Sequence, residues 1–268
     1  MLFRSGRDIY RDPVKVAEEI IHNYNSTGVR NYLFTDNLIN GSITNFRVMN
    51  QILSDKIPNT IKYRGYAIFR GKNQMPEEDF KLASIAGSQR WFIGVESGSE
   101  KIRYEMKKKF TNDDIDWTAN LLYKYNIEQN WLLIVGYPSE TEKDFSETKK
   151  LLKNFAHLAT NGQIKIQITP TFMLLNNSPL IENPELKNYY GLNLNDDKHA
   201  DKFWTSTKFL DNDYPTRSRR WKELVSLTET LGYQFGGGMP VKKWQQEIEN
   251  LDKIYSEKNV KIFAIRQK

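Results

Sequence analysis

Two strand-turn-helix units in direct succession, between Arg90 and Thr148, constrain this chain more than any other feature. In the first, the apolar run Trp91–Val95 ends on Glu96 and passes through Ser97-Gly98 into a helix start. In the second, Trp131–Val135 ends on Gly136-Tyr137-Pro138 and enters a long helix. Between them Ile115, Ala119, Leu122 and Tyr125 form one face at a 3.6-residue period. Strand, helix, strand with a continuous apolar run in each strand predicts a parallel sheet buried on both faces. Both helix starts carry a Ser with a Glu three residues on, Ser97 with Glu100 and Ser139 with Glu142, which predicts two reciprocal caps. Chemistry in such sheets gathers where strands end and helices begin. That makes Glu96 and the Gly136–Pro138 turn the first candidates for a site.

The same rhythm extends outward. Asp12-Pro13 predicts a helix start and Gly28 its stop, with Val16, Ala17, Ile20, Ile21 and Tyr24 on one side. Residues 29–37 read as a strand ending on Thr35-Asp36-Asn37, and a helix follows with Phe46, Met49, Ile52 and Leu53 inward. Residues 61–70 read as a strand ending on Arg70. The next helix opens at Pro76, turns Phe80, Ala83 and Ala86 inward, and stops at Gly87. After a helix with Phe145, Thr148, Leu152 and Phe155, residues 163–175 read as a strand that bends at Pro170. Endings near 36, 70, 96, 136 and 172 have the spacing of βα units. The expected fold is α/β: a partial parallel (β/α) barrel of TIM-like type over 1–180, with a mainly helical extension packed on it over 181–268. In that extension, 176–216 is loop-rich. One helix then carries Trp221, Leu224, Val225, Thr228 and Leu231, and another carries Val241, Trp244, Ile248, Leu251 and Tyr255. Gly236–Gly238 lie between them, and 260–265 reads as a closing strand.

Zero cysteines exclude disulfides, thiolate zinc, a Cys nucleophile and a cluster held by this chain alone. His22, His157 and His199 stand at no ligand spacing, so no metal set is expected. The apolar runs are too short to span a bilayer, and no basic leader with an apolar segment opens the chain. A cytoplasmic protein without membrane partners is expected. The net charge of +6 is a mild lean toward anionic ligands.

Residues 92–106, FIGVESGSEKIRYEM, followed by 132–148, LLIVGYPSETEKDFSET, resemble the radical S-adenosylmethionine (SAM) superfamily, in the branch often associated with cobalamin-binding domains. Tyr10-Arg11, the Asp36-Asn37 strand end and Ala86-Gly87 add to the likeness, which covers about residues 8–180. Asn176-Asn177-Ser178-Pro179-Leu180 departs from the branch's Pro-Gly-Thr-Pro-Leu. The resemblance implies a radical SAM enzyme core that uses SAM and a 4Fe–4S cluster held by a CxxxCxxC loop. It places that loop and the first strand just before Met1, so an N-terminally truncated chain is expected. It leaves cobalamin open, with nothing in these residues to support it. It implies that Asp36 and Asn37 contact the SAM amino group, Glu96 and Ser97 the ribose or methionine part, and Ile134, Val135 and Gly136 the adenine. Arg70 is a candidate partner of the methionine carboxylate. No catalytic residue, substrate or reaction type follows from it.

Plainer readings stand beside these. Glu96 and Asp36 are also ordinary turn acids, and Lys107-Lys108-Lys109 a solvated helix end. A non-catalytic barrel acting as a binding or partner subunit is the first alternative to an enzyme. The second is nucleic-acid binding through Arg217-Ser218-Arg219-Arg220 with Trp204 and Trp221, the weaker reading because Trp221 also begins an apolar helix face.

Overall fold

The computed structural model describes residues 11–194, 198–237 and 240–266; Tyr10 of the Tyr10-Arg11 pair and Gly238 lie outside them. The elements run α1 (Pro13–Thr27), β1 (Asn31–Leu33), α2 (Ile43–Lys56), β2 (Lys62–Ala67), α3 (Glu77–Ile85), β3 (Ser88–Glu96), α4 (Glu100–Glu105), α5 (Asn112–Lys124), β4 (Glu128–Leu133), α6 (Glu142–Ala159) and β5 (Ile164–Ile168). The extension adds α7 (Pro179–Glu182), α8 (Pro184–Tyr190), β6 (Leu192–Asn193), α9 (Ala200–Phe203), β7 (Thr205–Ser206), α10 (Tyr214–Thr230), β8 (Gln234–Phe235) and α11 (Val241–Arg266).

Local signals set the helix ends. Asp12 caps α1 by accepting from the Val14 N–H at 2.9 Å, Pro13 fills the first helical position, and Gly28 ends the helix at φ +71. Six strands pair in parallel in the order β1-β2-β3-β4-β5-β8, with at least one helix in every connection. Strictly sequential order is the arrangement of a (β/α) barrel, and here it stays open, because β1 and β8 are the two edges. The sixth strand comes from the extension, where Lys165 registers with Gln234 and Ile166 with Phe235.

The helices cover one face of the sheet. Trp91, Ile93 and Val95 of β3, Trp131 and Leu133 of β4, and Ile164, Ile166 and Ile168 of β5 are buried in one cluster with Phe46, Phe80, Ile115, Ala119, Leu122, Phe145 and Leu152. Trp131 packs edge-on to Phe69 and Phe155, with centroids 5.8 and 5.2 Å away. The other face is open along β2 and only half-buried along β3, closing at Asn130 of β4 beneath Gly236, which corrects the expectation of burial on both sides. Burial alternates residue by residue in β2, in β3 from Arg90 onward and in β5. Registers Arg64↔Arg90, Tyr66↔Phe92, Phe92↔Asn130 and Asn130↔Lys165 set the inward residues side by side. The apolar runs were long enough for two buried faces, but Phe92 and Leu132 line the open concavity half-buried and Tyr66 is 48% exposed there.

A separate cluster of Ile102, Tyr137, Leu174, Leu180, Tyr190, Leu192 and Trp204 fastens the extension over the strand ends. Residues 260–265, expected as a strand, continue α11. A helix already running extends one hydrogen bond at a time, and that outweighs the strand preference of Val, Ile and Phe.

Candidate functional site at the strand ends

The C-terminal ends of β1 to β5 lie along one rim, because parallel strands in sequential order point the same way. Glu96 ends β3 at φ +65, where the register with β4 slips between Gly94 and Glu96. The Ser97 N–H closes a three-residue turn around it onto the Val95 carbonyl at 2.8 Å. A non-glycine residue in this region costs about 1–3 kcal/mol and persists only where its surroundings over-determine it. Those surroundings are visible. The Ile134 N–H donates to the Glu96 carbonyl at 2.9 Å, and Lys108 Nζ meets the carboxylate at 3.0 Å. The ion pair lies over Gly94, where a Cβ would strike the Glu96 carboxylate and come within 2.8 Å of Lys108 Nζ. Fully buried Arg103 donates to the Ser97 carbonyl and to Asn112 Oδ1, both at 2.7 Å, and Lys108 N–H returns to the Arg103 carbonyl at 2.8 Å. Burial pulls the Arg103 pKa below the usual arginine range, and Glu100 nearby opposes it.

Ser97-Gly98-Ser99 docks on α6. Thr148 Oγ1 accepts from the Gly98 N–H at 2.8 Å and pairs with Ser97 Oγ at 3.1 Å, while Ser99 Oγ donates to Asp144 at 2.7 Å. Burial alone would raise the Asp144 carboxyl, but hydrogen bonds from Thr141, Ser99 and Lys101 hold it below the usual range. The two expected caps sit elsewhere. Ser99 and Thr141 are the N-cap residues, and the reciprocal cap of α6 is Thr141 with Asp144. The chain needs two more residues to leave each turn than the Ser-x-x-Glu spacing allowed. Glu100 then accepts from the Asn112 N–H and Glu142 from Arg220.

The turn after β4 is gripped from both sides. Gly136 stands at φ +88, and its N–H donates to Glu140 Oε2 at 2.9 Å. Arg220 of α10, fully buried, donates to Glu140 Oε2 at 3.2 Å, the Glu140 carbonyl at 3.1 Å and Glu142 Oε1 at 2.9 Å. Burial pushes the Glu140 carboxyl up to about 7, against the pull of Arg220 and the Gly136 N–H. Asn212 Nδ2 holds the Tyr137 and Pro138 carbonyls at 2.6 and 3.1 Å.

The remaining candidates are placed as follows. Asp36 and Asn37 are exposed in the bend after β1. Buried Asn40 bonds both backbone groups of Ile68, and Arg70 Nη2 donates to the Asn40 and Gly41 carbonyls at 3.1 and 2.9 Å. Ser97 is buried, Ile134 faces the concavity half-buried, and Val135 is buried with its carbonyl bonded to the Phe172 N–H. The Arg217–Arg220 run is not a basic surface, because Arg217 and Arg220 are fully buried and Arg219 pairs with Glu142 and Glu223. Sequence reasoning missed Glu140, Arg217 and Arg220 as parts of this rim. Their signal was two arginines on the same helical stripe as Trp221, Leu224 and Thr228.

The family described as "Radical SAM superfamily" matches residues 3–152, more than half of the chain. Among curated relatives, a tRNA-2-methylthio-N(6)-dimethylallyladenosine synthase of Wolbachia pipientis (strain wPip) is 44% identical over 63 residues, 23% of this chain and 14% of that protein. A threonylcarbamoyladenosine tRNA methylthiotransferase of Treponema pallidum is 32% identical over 75 residues, 27% of this chain and 15% of that protein. The chain thus spans about a seventh of the length of these relatives. Among solved structures, the radical SAM methyltransferase TsrM of Kitasatospora setae aligns with a TM-score of 0.52 at 17% identity, over 64% of this chain and 32% of that one. Coproporphyrinogen III oxidase (HemN) of Escherichia coli aligns with a TM-score of 0.52 at 16% identity, over 86% of this chain and 49% of that one. These likenesses are of fold. The family match joins the two strand-end motifs and the sequential parallel sheet: this chain belongs to the radical SAM superfamily.

Proposed function

We propose that the rim carrying Glu96 and the Gly136 turn binds SAM, as the SAM-facing part of a radical SAM enzyme. In this reading Glu96 meets the ribose or methionine part, Asp36 and Asn37 the amino group, and Ile134 to Gly136 the adenine, while Ser97, expected beside Glu96 on the ligand, is buried with its hydroxyl on Thr148 and seats the turn from behind. Val135 contributes backbone only, since its side chain is buried among the helices. Arg70, whose Nη2 donates to the Asn40 and Gly41 carbonyls, is the candidate partner of the methionine carboxylate. The observation that carries the reading is Glu96 itself: a carboxylate held at φ +65 over a glycine, at a strand end facing the concavity. Such strain at a rim is a mark of a ligand-facing residue. A carboxylate there accepts from a ribose hydroxyl or an ammonium.

The superfamily's cofactors are SAM and a 4Fe–4S cluster, but the residues present do not fit a cluster. The sequence has no cysteine, and among the described residues no group of three or more His, Cys, Asp or Glu could hold a metal ion. The reading therefore concerns SAM alone. It is tested by calorimetric titration of the chain with SAM. Wild type is expected to bind, and Glu96→Gln to weaken binding about tenfold, or about 1.4 kcal/mol. No heat with wild type, or equal affinities, would refute it.

A nucleic-acid substrate is the second reading. The names of the curated relatives support it, and so do exposed Lys62 and Arg64 beside the Tyr66–Phe92 pair on the open face, its ring centroids 5.4 Å apart. It predicts binding of a tRNA stem-loop that weakens steeply with salt. Binding indifferent to salt, or none, removes it.

A further inference from the structure

The turn after β4 is shaped by a helix that begins about 75 residues further on. Arg217 and Arg220 stand three apart on α10 and reach the turn by different routes. Arg217 packs on the bare face of Gly136. A Cβ there would overlap the Arg217 Cδ and lie 2.5 Å from its Cγ, so no other residue admits that arginine. The Arg217 guanidinium is fully buried, and among the described residues no carboxylate is hydrogen-bonded to it, although the charge of Asp213, one turn back on the same helix, supports it. It donates to the Asn212 carbonyl and to the Lys202 and Trp204 carbonyls at 3.0 Å each, and lies 3.8 Å over the Trp204 ring. Those three carbonyls come from the extension, so Arg217 ties α9, the Asn212 loop and α10 into one body resting on Gly136. Arg220 holds the turn's other end through the Glu140 side chain and carbonyl. Glu140 in turn fixes the Gly136 N–H.

A buried cation whose hydrogen bonds all go to neutral carbonyls is a costly choice for packing alone, since burial opposes its charge more than the nearby Asp213 supports it. An apolar residue would fill the space; the fork geometry of Arg is what lets one side chain collect three carbonyls at set angles. We propose that Arg217 and Arg220 are positioning residues for the 136–140 turn, which takes its rim geometry only with α10 docked. Where the rim binds SAM, as proposed above, ligand affinity is set from the extension through these two side chains. The SAM part rests on that reading; the shape of the turn does not.

The test uses the full chain with Arg217→Met, Arg217→Lys and Arg220→Met. Native-state hydrogen exchange is read at the Gly136 amide and, as a control, across β2. SAM affinity is read by calorimetry. We expect Gly136 exchange to quicken at least tenfold in both Met variants with β2 unchanged, SAM affinity to fall about tenfold, and Arg217→Lys to recover part of both. Should Arg217→Met unfold throughout, shown by β2 exchanging as fast as Gly136, Arg220→Met carries the same comparison. Unchanged Gly136 exchange and affinity in the folded variants would overturn the proposal and leave the SAM reading standing. Quickened exchange in a wild-type background that binds no SAM would uphold the positioning role and sink the SAM reading.

Discussion

Gly98→Ala tests whether the Ser97–Ser99 turn is fixed by its seat on α6. A Cβ at Gly98 would lie 2.5 Å from the Glu147 carbonyl oxygen, 2.5 Å from Thr148 Cα and 2.7 Å from the Glu147 carbonyl carbon. All three are backbone of a helix and cannot rotate aside. Either the turn stays and bears an overpacking cost of about 1–3 kcal/mol, or it lifts. Lifting forfeits the Gly98 N–H to Thr148 bond and the Ser97–Thr148 pair, about 1 kcal/mol each plus the cost of an unpaired buried N–H. The cheaper route sets the price, so the expected loss is roughly 1–3 kcal/mol. Gly28→Ala is the matched control. Gly28 sits at φ +71 with nothing within 4 Å of its virtual Cβ, so only left-handed strain of about 1 kcal/mol applies. Urea unfolding followed by tryptophan fluorescence reads both, since Trp91 and Trp131 are fully buried, and midpoints are compared at unchanged slope. If the turn lifts, Glu96 is freed with it, and on the proposed reading SAM binding then weakens in Gly98→Ala and not in Gly28→Ala. A Gly98→Ala loss no greater than that of Gly28→Ala would refute the steric argument.

Thr148→Val keeps the shape of the side chain and removes the acceptor for the Gly98 N–H. A loss of about 1–3 kcal/mol in urea unfolding is expected, and a loss below 0.5 kcal/mol would contradict the assigned bond. Glu140 gives a pH signature. Its folded carboxyl titrates at about 7 against an ordinary 4.5, so between those values the folded state holds the extra proton. Unfolding free energy contributed by this group therefore falls as pH rises from about 4.5 to 7, by about 3 kcal/mol in all. Glu140→Gln should flatten that part of the profile, and identical pH slopes in the two proteins would refute the assignment.

The legible parts of this fold are those written in local chemistry. Asp12, Pro13 and Gly28 bound α1, and the 3.6-residue stripes of α5 and α6 name their own inward faces. Strand ends are readable to within a few residues, which is why the amino-acid sequence alone singles out Glu96 and Gly136. Pairwise facts at long range were not legible. β8 is two residues long and is a strand only because β5 offers it an edge. The runs Trp91–Val95 and Trp131–Val135 look alike on both sides, and only registry tells Phe92 and Leu132 from Trp91 and Trp131. The links from Arg217 to Gly136 and from Arg220 to Glu140 span about 80 residues and leave no trace in local spacing.

Those long links explain how the rim can hold an unfavourable backbone. Glu96 left to itself would relax to negative φ and swing its carboxylate off Gly94. The Ile134 N–H, the Lys108 ammonium and the Arg103 grip on Ser97 oppose that relaxation. At about 1 kcal/mol each, three such contacts offset a strain of 1–3 kcal/mol with little to spare. None of them belongs to β3, so the strand dictates where Glu96 sits and later segments dictate how it is held. The Gly136 turn follows the same logic one strand over, with α10 in place of the 103–108 segment. Barrel strands therefore place the rim residues, while their geometry is supplied from later in the chain, which is why the extension cannot be treated as a mere cover.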